Sequence, residues 1–202
     1  SNTLSAGGFS VDNSCRFNKA DNAYLSKTLG TPTDADKFTI SFWMKLGLVS
    51  STVRTIFNIV VGGGANTFMQ LTAADLMVFG IYDSSYLGNL TTTQVFRDPS
   101  AWYHFVCVYD SGNATAGNRM RLYVNGTEVT AFGTDTNPTQ DLDSSNVSGA
   151  TFFVGAYGDD DEEFDGYLAE FCFIDGLALT PSSFGEFDSD SPTIWKPKDP
   201  SG

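Results

Sequence analysis

The first candidate functional residues are the carboxylates of an acidic run, Asp159-Asp160-Asp161-Glu162-Glu163-Phe164-Asp165. Clustered carboxylates suit calcium, which takes about six to eight oxygen ligands. Asp159, Asp161 and Glu163 alternate along this run and are the candidate calcium ligands. The spacing imitates an EF-hand loop, but Phe164 stands where that loop needs glycine, so that motif is excluded. The alternative is a solvated acidic hairpin that holds no metal.

A second candidate site lies on the stretch from Phe38 to Lys45, which alternates between two sets of side chains. This alternation predicts a strand whose Phe38, Ile40, Phe42 and Met44 side chains face a core. Trp43 shares the other face with Lys45 and two hydroxyl side chains. An aromatic ring beside hydroxyls and an amine is suited to stacking on a sugar, so Trp43 and Lys45 are candidate ligand-binding residues. The alternative is that loops, or the second face of a curved sheet, cover Trp43.

Residues typical of catalysis are few. His104 is the only histidine, so neither a Ser-His-Asp or Cys-His site nor a multi-histidine metal site is expected. Because Trp102, Tyr103, Phe105 and Val106 flank it, we interpret His104 as a structural strand residue. We therefore expect that the protein is not an enzyme.

The charge balance limits the partners. The chain has 202 residues and a formal net charge of −13, which argues against nucleic acid and anionic membrane surfaces. No apolar run reaches the roughly 18 residues of a membrane-spanning helix, so membrane insertion is not expected. No basic segment followed by an apolar stretch opens the sequence, so no signal peptide is expected.

The cysteine count is odd, so Cys15, Cys107 and Cys172 cannot all pair with one another. All three fall in predicted strands, where reduced cysteines act as small hydrophobic residues, and we favour three buried thiols. A Cys15–Cys172 bridge is the alternative.

The elements that must position these residues are strands. From Tyr167 to Ile174 apolar side chains occur on both parities, which predicts a strand covered on both sides. Asn125-Gly126 is the strongest hairpin signal, and Thr180-Pro181 predicts one short helix over 181–187. Residues 133–150 are interpreted as a polar loop. Further strands are expected at 8–17, 23–27, 53–60, 67–72, 76–82, 86–90, 102–109, 119–124, 127–132 and 152–157. The sequence thus predicts one all-β antiparallel sandwich over residues 1–190, followed by an irregular proline-containing tail or linker at 191–202.

Several phrases resemble laminin G-like, concanavalin A-like jelly rolls. They are Phe-Thr-Ile-Ser-Phe-Trp-Met-Lys at 38–45, Trp-Tyr-His-Phe-Val at 102–106, Arg-Leu-Tyr-Val-Asn-Gly at 121–126, and the stretch from Phe164 to Thr180. The resemblance implies a jelly-roll sandwich with one short C-terminal helix. Many such domains carry a calcium ion at their rim, and in several an Asp helps to hold it. Here Ala169 replaces that Asp, which removes one ligand.

Glycosidases share this fold and use paired carboxylates on one strand. The nearest match is Glu186-Phe187-Asp188-Ser189-Asp190, which has Asp where the second Glu belongs and follows the expected terminal helix. A glycoside hydrolase or lyase is therefore the weakest of the functional alternatives.

The opening phrase Cys-Arg-Phe-Asn-Lys-Ala-Asp-Asn-Ala-Tyr-Leu-Ser at 15–26 and the closing phrases at 184–188 and 194–198 are similar to laminin G-like domains in structural proteins of marine bacteriophages. We expect a non-catalytic module that binds carbohydrate on a host or extracellular surface, as part of a virion fibre or decoration protein. The virion surface, or another extracellular place, is the expected location. The expected partners are a glycan, other virion proteins or further copies of the chain. The alternative is an assembly module that binds only proteins.

Overall fold

The computed structural model describes residue 9 and residues 11–49, 51–158 and 162–198. Fifteen strands occur in this part of the chain. They are β1 (Cys15–Phe17), β2 (Leu25–Thr28), β3 (Lys37–Leu46), β4 (Arg54–Val60), β5 (Asn66–Leu71), β6 (Leu76–Asp83), β7 (Ser85–Val95), β8 (Tyr103–Asp110), β9 (Met120–Val124), β10 (Thr127–Glu128), β11 (Phe132–Thr136), β12 (Thr151–Val154), β13 (Gly166–Asp175), β14 (Gly185–Phe187) and β15 (Trp195–Pro197). Three-residue 3-10 turns occur at Lys19–Asp21, Ala116–Asn118 and Pro181–Ser183.

The strands form two large antiparallel sheets. One has six strands in the order β1-β13-β3-β8-β9-β10, and the other has seven in the order β11-β7-β6-β5-β4-β12-β2. Rings from the two sheets meet in the core, since Phe42 packs edge-on against Phe57 at 6.5 Å and Phe38 against Phe79 at 6.4 Å. The expected all-β concanavalin A-like sandwich is therefore confirmed.

The strand expected to be covered on both sides is β13. Its Leu168 faces the main core, while Cys172 and Ile174 pack on a second apolar cluster that contains Phe184. That second cluster lies on the outer face of the six-stranded sheet and is covered by the chain after β13. The prediction of two covered faces is confirmed.

Two local predictions at the C-terminal end differ from the structure. The helix expected over 181–187 is a single 3-10 turn, Pro181–Ser183, because Gly185–Phe187 instead pairs with Trp195–Pro197 as a two-stranded sheet. The tail from residue 191 is not irregular throughout, because it contains β15. Backbone hydrogen bonds from Asp188 N to Ile194 O and from Lys198 N to Phe184 O fix this segment on both sides.

The Asn125-Gly126 hairpin is confirmed. Both residues have positive φ, 48° and 80°, and they join β9 to β10. The polar loop expected from residue 133 is partly wrong, because β11 extends to Thr136 and pairs with β7. Its polar side chains gave no alternating apolar signal, since β11 is an exposed edge strand.

The three cysteines are free thiols. Cys107 is buried, and burial raises the pKa of its thiol. Cys172 is partly buried, while Cys15 is exposed, so the expectation of three buried thiols is wrong for Cys15. The alternative bridge does not form, because β1 pairs with β13 in a register that sets Cys15 opposite Leu168 instead of Cys172.

Candidate functional site

Trp43 does not lie on an exposed face. Its side chain is 9% exposed and stacks on the imidazole of His104, with ring centroids 4.8 Å apart. His104 in turn stacks on Trp195 at 5.9 Å. The expectation of a partly exposed Trp43 beside Lys45 is therefore wrong, and the alternative of a covered Trp43 is right, although the ring stacked on it is His104 of β8, on which Trp195 of β15 stacks in turn.

The hydroxyl groups beside Trp43 are also used within the protein. The Thr39 hydroxyl donates to the carbonyl of Leu177 at 2.7 Å and accepts from the backbone N–H of Leu179 at 2.8 Å. The Ser41 hydroxyl lies 2.9 Å from His104 Nε2. This face of β3 is thus an internal interface with the C-terminal segment.

The Ser41–His104 pair resembles a catalytic dyad in distance but not in proton placement. The indole N–H of Trp195 donates to His104 Nδ1 at 2.9 Å, and an indole can only donate. In the neutral ring Nε2 must then carry the proton and donate to Ser41, so His104 cannot accept the proton of a serine nucleophile. Burial lowers the pKa of His104 to about 4, which keeps the ring neutral near pH 7. The pair is structural.

The carboxylates proposed for hydrolysis are held in ion pairs. Lys196 Nζ lies 3.5 Å from Glu186 and 3.3 Å from Asp188. Hydrogen bonds from the backbone N–H of Asp190 and from Lys196 lower the pKa of Asp188, whereas a general acid needs a raised pKa. This arrangement disfavours hydrolysis by these residues.

Only residues 162–165 of the acidic run lie within the described part of the chain. Asp159 and Asp161 lie outside the described residues, and Glu163 is partly buried. Asp165 pairs with Arg16 at 3.5 Å, whereas the Glu162 carboxylate accepts hydrogen bonds from Thr55 and Gln70 on the seven-stranded sheet. Within the described residues no group of three or more His, Cys, Asp or Glu side chains is placed to hold a metal ion.

The outer face of the seven-stranded sheet carries a different set of side chains. Phe57 and Ile59 face the core, so Asn58 between them faces outward. The strand register extends this position into a row across the sheet, which runs Phe153, Asn58, Phe68, Gly80 and Asn89. Parallel rows contain Val60, Asn66, Tyr82 and Tyr86, and Thr55, Gln70, Val78 and Thr91.

Four aromatic rings cluster on this face. Phe68 lies 6.3 Å from Tyr86 and 6.4 Å from Tyr157, and Tyr82 lies 5.4 Å from Tyr86 in an edge-on arrangement. Tyr86 is the most accessible of them, with half of its surface exposed. We call these four residues, together with Asn58, Asn66, Gln70 and Glu162, the aromatic face.

The amides of the aromatic face have spare hydrogen-bonding capacity. Asn66 donates from Nδ2 to the hydroxyl of Tyr157 at 2.9 Å, but its Oδ1 has no partner among the described residues. Asn58 is fully buried, and neither its Nδ2 nor its Oδ1 has a partner among them. Unpaired buried amide atoms are costly, so this arrangement favours a site that is completed by water or by a ligand.

The phenol of Tyr157 is held in its neutral form. Burial and the nearby Glu162 carboxylate raise its pKa, and the Tyr82 and Tyr86 hydroxyls add to that effect. A neutral phenol both donates and accepts hydrogen bonds. The aromatic face therefore combines apolar ring surface with groups that hydrogen-bond hydroxyls, and this combination suits a sugar.

The sequence profile of a family described as "Concanavalin A-like lectin/glucanases superfamily", of the laminin G type, matches residues 18–183. The chain belongs to this superfamily. No curated protein matches this laminin G-like domain in sequence.

Solved structures of similar fold include proteins that hold sugars. Domain 4 of AbnA, an extracellular arabinanase of Geobacillus stearothermophilus, in complex with arabinotriose, is 20% identical with a TM-score of 0.54, covering 79% of this chain and 77% of that one. The CBM40 of a Ruminococcus gnavus sialidase bound to sialyllactose is 11% identical with a TM-score of 0.53, covering 80% and 95%. Domains LG4-5 of the mouse laminin α1 chain are 11% identical with a TM-score of 0.60, covering 87% and 48%. At these identities the likeness shows the fold alone.

The aromatic face of this laminin G-like domain was not predicted from the sequence. Its signal was the parity of Phe68 and Tyr82, which alternate with the core residues Met69 and Ile81. That parity shows that both rings point away from the core, but the strand order β7-β6-β5 was needed to bring Tyr86, Tyr82 and Phe68 together.

The described part of the chain contains no helix with the length and apolar character of a membrane span.

Proposed function

We propose that this laminin G-like domain is a non-catalytic module that binds glycans with its aromatic face. The observation that carries the proposal is the half-exposed Tyr86 ring in a cluster of four aromatic rings, on a face where the buried Asn58 and Asn66 also have unpaired amide atoms. Ring faces stack on the C–H surfaces of sugars, and amides pair with sugar hydroxyls. Similar folds that hold arabinotriose or sialyllactose support the proposal.

The test is glycan binding by the purified domain, first on a glycan array and then by titration calorimetry. Tyr86→Ala removes the most accessible ring of the aromatic face without opening the core, so we expect its binding to fall at least about tenfold. Tyr167→Ala is the matched control, because Tyr167 is an exposed tyrosine on β13 of the other sheet, where it lies under Arg16. If both variants bind as the unchanged domain does, the aromatic face is not the site.

For the setting, we propose the surface of a bacteriophage virion, with the domain as part of a fibre or decoration protein. The support is the sequence similarity of residues 184–188 and 194–198 to laminin G-like domains of such proteins. Antibodies raised against this domain should label intact particles in immunogold microscopy. Absence of label on particles whose protein digest contains the chain would contradict a surface position.

An assembly module that binds only proteins remains the second candidate. It is favoured by two apolar side chains of the C-terminal segment, Phe187 and Ile194, which are about half exposed. Trp195 and Phe184, by contrast, pack on the domain itself. Light scattering of the Phe187→Ser/Ile194→Ser variant tests it: a lower association state than that of the unchanged domain would support an assembly role, and an unchanged state would reject it.

A further inference from the structure

We infer that the aromatic face selects an uncharged saccharide and disfavours glycans that carry sialic or uronic acid. The inference rests on the proposed function, since it names the ligand class of the same surface. It goes further in predicting which of two closely related sugars the domain accepts.

The first observation is the sign of the charge at this face. The Glu162 carboxylate is held over β4 and β5 by hydrogen bonds from Thr55 and Gln70. The described residues of the three rows include no Lys or Arg. A carboxylate on the ligand would therefore be repelled by the Glu162 carboxylate and would find no Lys or Arg in those rows to pair with.

The second observation is which hydrogen-bonding atoms are unpaired. Two of them, Asn58 Oδ1 and Asn66 Oδ1, are buried acceptors, which only a hydrogen-bond donor such as water or a ligand hydroxyl could satisfy. The third, Asn58 Nδ2, is a donor. A sugar hydroxyl donates and accepts at once, whereas an ionised carboxylate only accepts, so a carboxylate placed at these two acceptors would leave both of them unpaired. The unpaired atoms therefore match hydroxyls better than acids.

The third observation is the field of the whole chain, whose formal net charge is −13. This field opposes the approach of any anion at low salt but is largely screened beyond about 8 Å at physiological ionic strength. Selection that persists at 0.15 M salt must then come from Glu162 and the local hydrogen bonds. The neutral and charged ligands are therefore compared at 0.15 M salt.

The experiment compares neutral and sialylated forms of the same glycan chains on an array, and lactose with sialyllactose in solution. We expect the neutral member to bind at least about tenfold more tightly at 0.15 M salt, because the Glu162 carboxylate repels a ligand carboxylate that binds on the same face. Equal or tighter binding of the sialylated member overturns the inference. If the sialylated glycan binds equally well or better and Tyr86→Ala abolishes its binding, the aromatic face is still the binding site, so the proposed function survives. If no glycan of either class binds, both fail.

A pair of variants assigns the effect to the right carboxylate. Glu162→Gln removes the charge but keeps an acceptor for Thr55 and Gln70, so the ratio of neutral to sialylated affinity should decrease. Glu163→Gln removes the same charge one residue along the chain and should leave discrimination unchanged. If the two variants behave alike, net charge is responsible and the local inference is wrong.

Discussion

Gly80 is the residue that leaves room for the aromatic face. It lies beside Phe68 in the same row, and a Cβ atom built on it would stand 2.5 Å from the Phe68 ring. Gly80→Ala should therefore displace the Phe68 ring and its neighbour Tyr86. We expect glycan binding to weaken several-fold and the free energy of unfolding to fall by about 1–3 kcal/mol.

Glycan titration and urea unfolding measure both effects of Gly80→Ala. Gly62→Ala is the control, because a Cβ atom there meets no atom within 4 Å. Unchanged glycan binding by Gly80→Ala, with the stability loss observed, would show that the position of Phe68 does not matter for the ligand.

The second prediction at this scale concerns a buried ion pair. Arg54, 1% exposed, donates to Asp75 at 2.6 Å and also to the carbonyl of Thr72 at 3.3 Å. Arg54→Met leaves a buried carboxylate whose remaining cation, Arg97, is largely exposed. We expect a loss of about 3–5 kcal/mol in the free energy of unfolding.

Arg97→Met is the matched control for Arg54→Met. It removes the exposed partner of Asp75, so we expect a loss below about 1 kcal/mol by urea unfolding. Equal losses from the two variants would mean that burial of Arg54 contributes nothing special to the pair.

At the scale of elements, the two-stranded sheet of β14 and β15 is held on the six-stranded sheet through His104. The bond from Trp195 Nε1 requires an unprotonated Nδ1, and burial lowers the pKa of His104 to about 4 from 6.5. Glu170 and Lys198 are the charged residues that line the small cavity beside the ring. Protonation of His104 should therefore loosen the C-terminal segment.

The sign of the pH effect follows from that pKa. The unfolded chain binds a proton near pH 6.5, where the folded chain does not, so stability falls as pH decreases from 6.5 towards 4. The loss approaches about 3 kcal/mol at the low end. Unfolding of the unchanged domain and of His104→Asn should differ in slope between pH 5 and 6.5, since no other histidine titrates there. Parallel slopes would contradict the assignment.

The sequence predicted the strands better than their surroundings. Alternation located β3 and β13, and Asn125-Gly126 located a hairpin, because both signals depend on neighbouring residues. Trp43 and Tyr82 have the same local pattern, an aromatic residue that alternates with core residues. Distant parts of the chain make the difference: His104 of β8 stacks on Trp43 and Trp195 stacks on His104, whereas Tyr82 stays partly exposed. That difference is not contained in a local pattern, so the sequence alone could not show that Trp43 is buried or that several aromatic rings meet on the other sheet.

At the scale of the whole molecule, the main electrostatic feature is the excess of 24 acidic over 11 basic residues. Self-repulsion at low salt should exceed the contribution of surface ion pairs such as Lys37–Asp110, which are each worth about 1 kcal/mol or less. Raising NaCl from 0.01 to 0.3 M should therefore raise the melting temperature by about 2–4 °C. A decrease, measured by differential scanning calorimetry, would mean that attractive pairs dominate.

The same measurement separates general screening from a calcium site at the acidic run. Calcium that binds only the folded state raises the melting temperature with its concentration, whereas screening does not distinguish calcium from magnesium. Because Ala169 supplies no carboxylate, we expect calcium and magnesium at 1 mM to give equal shifts in 0.15 M NaCl. A larger shift with calcium, abolished by Asp161→Ala and kept by Asp135→Ala on the edge strand β11, would contradict this and assign a calcium site to residues 159–163.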